Sequence, residues 1–240
     1  MRMHRFFAER IGDDAAVLCV EEAAHALRVL RLQPGDSCQA ILEGRLFEAR
    51  LERTAPEVTL RLLRELPSPE PSVRVTLYQG LAKGDKMDWI VQKCTEAGVC
   101  AIVPVLFSRC VTQWEPKDAG KKLTRLKRIA AEAAKQSGRA LIPEIGEPLS
   151  LKALCGALPR HALALTPWEE EKRGGIAARL AGQKDIAVII GPEGGIAPEE
   201  IALLREAGAV PVTLGPRILR TETAGLASLI ALMTLTGNME

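Results

Sequence analysis

The sequence predicts an α/β protein built on a parallel sheet, preceded by a small β-rich module that closes as a barrel. The segment ELPSPEPSV, residues 65–73, carries three prolines and two serines between two regions of different rhythm, and reads as a linker. Ahead of it, short alternating runs are separated by turn residues. After it, apolar runs alternate with longer helical patterns, as in a parallel sheet. With 240 residues, these observations give two domains, 1–70 and 71–240.

In the first region, residues 25–32 read as a short helix and Gln33-Pro34-Gly35-Asp36 as a turn. CQAILEG, RLFEARLER and VTLRLLREL read as strands separated by EG and AP turns. Beyond the linker, VRVTLYQGL, AIVPVLF, HALALTP, DIAVIIGP and AVPVTLGP read as strands. Helices are expected over 86–97, 119–137, 169–181, 198–207 and about 223–236.

Composition narrows the class. The chain is 47% hydrophobic, 26% charged and only 3% aromatic, so base-stacking platforms have to be sparse. The net charge of +2 is unevenly spread: residues 83–140 hold 12 basic and 6 acidic residues, whereas 1–70 hold 10 basic and 12 acidic. A polyanion suits that middle region, and a solvated helix face accounts for it equally well. Cys19, Cys38, Cys94, Cys100, Cys110 and Cys155 form no CxxC pair, so no metal is expected and the cysteines read as core filler of a cytoplasmic protein. The N-terminal stretch has no apolar core of signal-peptide length, and the run 224–235 is too short and interrupted to span a membrane.

Three strand ends carry turn residues: 165–167, 190–195 and 214–220. Open α/β sheets bind ligands outside the carboxyl ends of their strands, so the three loops together predict one crevice. The middle loop, GPEGG, lacks the spacing of GxGxxG and the lysine of GxxxxGK[ST], and Glu193 would repel a phosphate. Its ligand therefore wants backbone donors and close approach, and tolerates a carboxylate. In the last loop, Arg217 and Arg220 lie near one another and Glu222 stands at the start of a helix that Thr221 or Thr223 can cap. Simple capping explains Glu222 as well as catalysis does.

Lys121, Arg125, Arg128, Lys135 and Arg139 fall on one stripe, broken by Glu132 and opposed by Leu123, Leu126, Ala130 and Ala133. Lys83, Lys86 and Lys93 add to the same field, and His4-Arg5-Phe6-Phe7 with His25, Arg28 and Arg31 mixes basic and aromatic residues. Phe6 and Phe7 read more simply as core anchors.

Taken in order, MHRFF, HALRVLRLQPGD, KGDKMDWIVQKCTEAGV, AAEAAKQSGR with Pro143, IGPEGGI and LGPRILRTETA resemble the small-subunit rRNA uracil-N3 methyltransferases, the RsmE family of the SPOUT superfamily. The resemblance runs from residue 4 to about 236. It implies a PUA-like RNA-binding barrel, a SPOUT-type domain with a C-terminal trefoil knot, a homodimer, S-adenosyl-L-methionine as cofactor, and 16S rRNA or the small ribosomal subunit as partner. Carried over by position, the cofactor pocket includes Leu165, Thr166, Gly191, Glu193, Gly194, Gly195, Leu214, Gly215, Ile218, Leu219, Arg220 and Ala224. Arg220 and Glu222 are the candidate catalytic residues, and Arg5, His25, Arg28, Arg31, Lys83, Lys86, Arg125, Arg128 and Arg139 the candidate RNA contacts. Two residues depart from the family pattern: Ala197 where Ser or Thr often caps a helix, and Asp88 where Glu is usual. Alternatives are a SPOUT enzyme acting on another RNA or on a ribose hydroxyl, and an RNA-binding protein without activity.

Overall fold

The computed structural model describes residues 3–114 and 116–239, and the chain forms two compact units. The first is Met1–Glu70 with Lys135–Leu141, and the second is Pro71–Ala134 with Ile142–Glu240.

The first unit is a closed barrel of β1 (Arg5–Arg10), β2 (Ala15–Leu18), β3 (Ser37–Leu42), β4 (Arg45–Arg53) and β5 (Thr59–Leu66), in the order β1-β2-β5-β4-β3. All neighbours are antiparallel except β1 and β3, whose parallel pairing closes the ring. Glu43 and Gly44, both at positive φ (51° and 80°), turn β3 tightly into β4. Pro34 and Gly35 make the other tight turn, with the Gln33 N–H bonded to Asp36 Oδ2 at 2.8 Å. Phe6 is buried in the barrel core with Leu42, Leu51 and Leu60, and Phe7 packs against Ile41, Leu46 and Ala140. The helix expected over 25–32 starts earlier, as α1 (Val20–Ala24) followed by a π-helical turn over His25–Val29.

The second unit holds a sheet in the order β12-β10-β11-β6-β7-β8, with β9 also paired to β7. Its strands are β6 (Arg74–Gly80), β7 (Ala101–Leu106), β8 (Glu144–Ile145), β9 (Leu149–Ser150), β10 (Leu163–Pro167), β11 (Asp185–Ile190) and β12 (Ala209–Val212), and every pairing is parallel. Its helices are α2 (Lys86–Glu96), α3 (Pro116–Ser137), α4 (Leu151–Ala157), α5 (Pro198–Glu206) and α6 (Thr221–Leu235), the last turn of α3 joining the first unit. Successive residues of β11 serve opposite faces, as a strand buried on both sides requires. Ile186, Val188 and Ile190 meet Ile90, Leu126 and Leu229, while Ala187 and Ile189 meet Leu154, Ile201 and Leu204.

No α-helix forms over 169–181, where one was expected; only Ile176–Arg179 makes a 3-10 turn. Gly174-Gly175 is a poor helix interior, and the pair bonds instead to β12's exit, Thr213 donating its N–H to the Gly174 carbonyl at 2.9 Å. All described cysteines are free, and burial pushes the thiols of Cys38 and Cys94 up to about 11 and about 12, which makes them inert filler. No helix among the described residues is long and apolar enough to cross a membrane.

Candidate active site

The loops that leave β10, β11 and β12 lie side by side because these strands are neighbours in the sheet. Between the β11 and β12 loops opens a cavity of about 360 Å³, within the usual range for small-molecule sites. Its walls are the backbone of Gly191, Gly194 and Gly195, the apolar side chains of Ile190, Ile196, Leu219 and Ala224, and the polar groups of Lys86, Glu193 and Arg220. A smaller hollow of about 90 Å³ adjoins it under Leu214, Gly215 and Arg217, sharing Pro167, Ile218, Leu219 and Ala224.

The glycines answer to close approach. A Cβ on Gly80, at the end of β6, would stand 2.5 Å from the Pro192 nitrogen, so β6 and the GPEGG loop meet backbone to backbone. Gly195 takes φ +73°, which only glycine adopts freely. Three buried polar side chains then stitch the loops. Gln79 donates to Thr221 Oγ1 at 2.9 Å, and Thr221 donates to the Gly191 carbonyl at 2.6 Å, joining β6, α6 and the β11 loop. Thr221 thus serves as a stitch instead of the expected helix cap; the cap is Arg220, whose side chain makes no capping bond. Glu200 accepts from the Ser108 N–H at 2.7 Å and from the Ala197 N–H at 3.0 Å. An alanine has no acceptor to return, so only the glutamate half of a capping box forms at α5.

One cation in the cavity wall, Lys86, is paired with carboxylates. Lys86 Nζ lies 3.2 Å from Glu193 Oε1 and 3.1 Å from Glu222 Oε2, the latter an ion contact outside hydrogen-bond geometry. Partial burial favours the neutral Lys86 amine, but the Glu222 and Glu193 carboxylates outweigh it and raise its pKa above the free lysine value. Burial acts against the Glu193 carboxylate too, yet the Lys83 N–H bonded to it at 3.0 Å, with its own backbone N–H and Lys86, holds its pKa below the ordinary carboxylate value.

Comparison with known proteins decides the family. Residues 68–233 match the family described as the RNA methyltransferase domain, and 18–63 match the RNA methyltransferase PUA domain. The Ribosomal RNA small subunit methyltransferase E of Mycobacterium bovis is 36% identical over 98% of this chain and 93% of its own length. That of Bacillus subtilis is 34% identical over 96% of each chain. The chain belongs to the ribosomal RNA small subunit methyltransferase E family. A crystal structure of the methyltransferase E from Neisseria gonorrhoeae bound to S-adenosyl methionine superposes with a TM-score of 0.81, at 32% identity, covering 98% of each chain.

In this member of the methyltransferase E family, the main cavity gathers Gly191, Glu193, Gly194, Gly195, Ile218, Leu219, Arg220 and Ala224, and the adjoining hollow takes Leu214 and Gly215. Leu165 and Thr166 are fully buried, and Pro167, one position on, lines both spaces. The Thr166 hydroxyl is enclosed without a hydrogen-bond partner. Glu222 enters through its contact with Lys86.

One of the expected RNA contacts, Arg139, is corrected. Arg139 is 6% exposed and belongs to the first unit, where Glu70 accepts from its Nη2 at 2.6 Å; a guanidinium consumed by a buried ion pair cannot track a phosphate backbone. Lys86 lines the cavity between two glutamates, with its side chain 29% exposed. Of the rest, His25, Arg28, Arg31, Lys83, Arg125 and Arg128 are exposed, Arg125 pairing with Asp88 and Arg128 reaching Glu132 at 4.0 Å. Arg5 is half-buried and donates to Gln39 and to the Gly138 carbonyl. The sequence pattern does not reveal Gln79, Thr221 and Glu200 as organisers of the site. Gln79, a polar residue inside the apolar run of β6, is the one available signal.

Proposed function

We propose that the protein transfers the methyl group of S-adenosyl-L-methionine to N3 of a uridine in 16S rRNA of the small ribosomal subunit. The observation that carries this reading is the near full-length match to the methyltransferase E family combined with a crevice at three adjacent strand ends. The cavity fits the donor: apolar walls suit its adenine, the glycine backbone offers hydrogen bonds, and carboxylates suit a sulfonium that carries no phosphate. When bound, that group supplies an electrophilic methyl.

The chain's own residues provide the rest. A neutral imide nitrogen is a poor nucleophile, so the N3 proton has to leave as the N3–methyl bond forms and the sulfur–methyl bond breaks. Glu222, in contact with Lys86 of the cavity wall, accepts that proton, and Arg220, exposed at the cavity rim with no ion pair among the described residues, stabilises the charge spreading onto the uracil oxygens. The closed barrel, as the first of two domains divided near residue 70, grips RNA through His25, Arg28 and Arg31, and Lys83, Arg125 and Arg128 of the second add phosphate contacts. Family membership also supports a SPOUT-type trefoil knot, a homodimer and a cytoplasmic site of action. The apolar side chains of Ile230 and Leu235, exposed on α6, favour the dimer.

The test is mass-spectrometric mapping of rRNA and small subunits incubated with the protein and methyl-labelled donor. N3-methyluridine at one position is expected; label on a ribose oxygen or on no nucleoside overturns the reading.

A further inference from the structure

Lys86 lies on the first turn of α2, whereas Glu193 belongs to the β11 loop and Glu222 to the first turn of α6, so one ammonium spans three elements around the cavity. Glu193 also takes the Lys83 N–H, so both ends of the segment entering α2 are tied to the GPEGG loop. The Glu222 Oε2 atom is buried with no hydrogen bond, and the Lys86 ion contact is its fixed neighbour. Arg220 and Glu169, which also line the cavity, oppose one another in charge. The trio of Lys86 and Glu193 in the cavity wall and Glu222 in contact with Lys86 therefore leaves one net negative charge at the cavity.

We propose that Lys86 is the positioning residue of this site: its ammonium bridges Glu193 and Glu222, fixing the carboxylate that faces the acceptor base and limiting the cavity to a single net negative charge toward a sulfonium. This deepens the methyltransferase reading and rests on it. Without the bridge, two carboxylates would face each other across the cavity; Glu222 would swing away from its working position, and the site would hold cations more tightly than the turnover needs. A misplacement of about 1 Å costs roughly a hundredfold in rate.

Lys86→Met and Lys86→Arg proteins separate this role from mere support of the fold. Calorimetry of the protein alone, with S-adenosylmethionine and with the uncharged thioether S-adenosylhomocysteine, reads the charge balance without any reaction. Lys86→Met is expected to shift the affinity ratio toward the sulfonium by roughly three- to tenfold, as expected for one charge at short range in a partly wet site, while Lys86→Arg leaves the ratio in place. Glu193→Gln, which removes a negative charge, is expected to shift it the other way and serves if Lys86→Met does not fold. In single-turnover transfer to rRNA, the rate constant of Lys86→Met is expected to fall about a hundredfold with half-saturation by RNA unchanged, and that of Lys86→Arg to recover to within several-fold. An unshifted ratio in a folded Lys86→Met protein, or equal loss in both Lys86 variants, overturns the assignment. If the wild type methylates no uridine yet the ratios shift as stated, the uridine reading fails and the bridging role stands; a methylating wild type with unshifted ratios has the opposite meaning.

Discussion

Two glutamates in the two units do the same thing locally and different things globally. In the first unit Glu70 accepts from the Ala140 N–H at 2.7 Å, the Leu141 N–H at 3.1 Å and the Arg139 guanidinium, with side-chain exposures of 16% and 7% for the pair. In the second, Glu193 accepts from the Lys83 N–H and pairs with Lys86, with exposures of 24% and 29%. Each is a carboxylate that collects backbone N–H groups and one cation. The first is closed on itself: the paired segment 135–141 is held to the barrel, with Lys135 also reaching the buried Glu22. The second is open, because Lys86 has a further partner in Glu222 and the group lines a cavity. Burial and a neighbouring space, rather than residue type, separate a lock from a working site.

The contrast can be broken in four ways. The largest effect is expected from Glu70→Ala, which takes the carboxylate away from a buried guanidinium and should cost about 3 kcal/mol in urea unfolding while leaving donor affinity unchanged. Replacing both partners by apolar residues should cost less than the single change; equal costs would mean that the pair is not closed. Glu222→Gln comes next, with a fall in kcat of about 10²-fold at saturating donor, or roughly 2.7 kcal/mol of transition-state stabilisation, and a shift of the sulfonium-to-thioether ratio in the same direction as Glu193→Gln. Normal turnover would remove Glu222 from the chemistry.

Glu193→Gln is expected to cost about 1 kcal/mol of stability once solvent screening is allowed for. The sign of its pH dependence follows from a folded-state pKa held below the ordinary carboxylate value. The contribution of Glu193 is fully present above that ordinary value and is lost as pH falls through the lower folded one, so the gap between wild type and Glu193→Gln should narrow in acid. A gap independent of pH would show that the Lys83 and Lys86 contacts do not stabilise its charge. The smallest effect concerns RNA. Arg28→Ala with Arg31→Ala should flatten the salt dependence of binding by roughly one unit of slope for each phosphate no longer neutralised, whereas Arg139→Met, assayed where it is folded, should leave the slope alone. The reverse pattern would exchange the roles of the two sets of arginines.

Much of the fold is legible in local pattern. Strands β6, β7, β10, β11 and β12 carry apolar runs, helices α2, α3 and α5 carry 3.6-residue periodicity and α6 is apolar on nearly every face, so these elements are placed within a few residues, whereas the two-residue strands β8 and β9 leave no such pattern. The EG turn and the PGD turn are legible because positive φ at glycine is a local demand. β1 and β2 are not, since RFFAER and AAVL are short and their strand character comes from pairing with β3 and β5. The helix expected at 169–181 fails for the same reason: Gly174-Gly175 is committed to Thr213, nearly forty residues away in the chain.

The site divides likewise. Glycine spacing in GPEGG, the absence of a phosphate-binding lysine and the three strand ends point, from the sequence by itself, to one crevice for a ligand without a phosphate. Only the tertiary structure decided which cations belong to it. Lys86 and Arg139 stand in the same basic stretch of sequence, Arg139 on the helical stripe and Lys86 adding to its field, and the sequence alone gives both to an RNA surface. One is drawn between Glu193 and Glu222 at the cavity, and the other is sealed against Glu70. Charge is a property of the residue, but what a charge does depends on its distance to other charges and to water, and those distances are set by the packing of segments far apart in the chain.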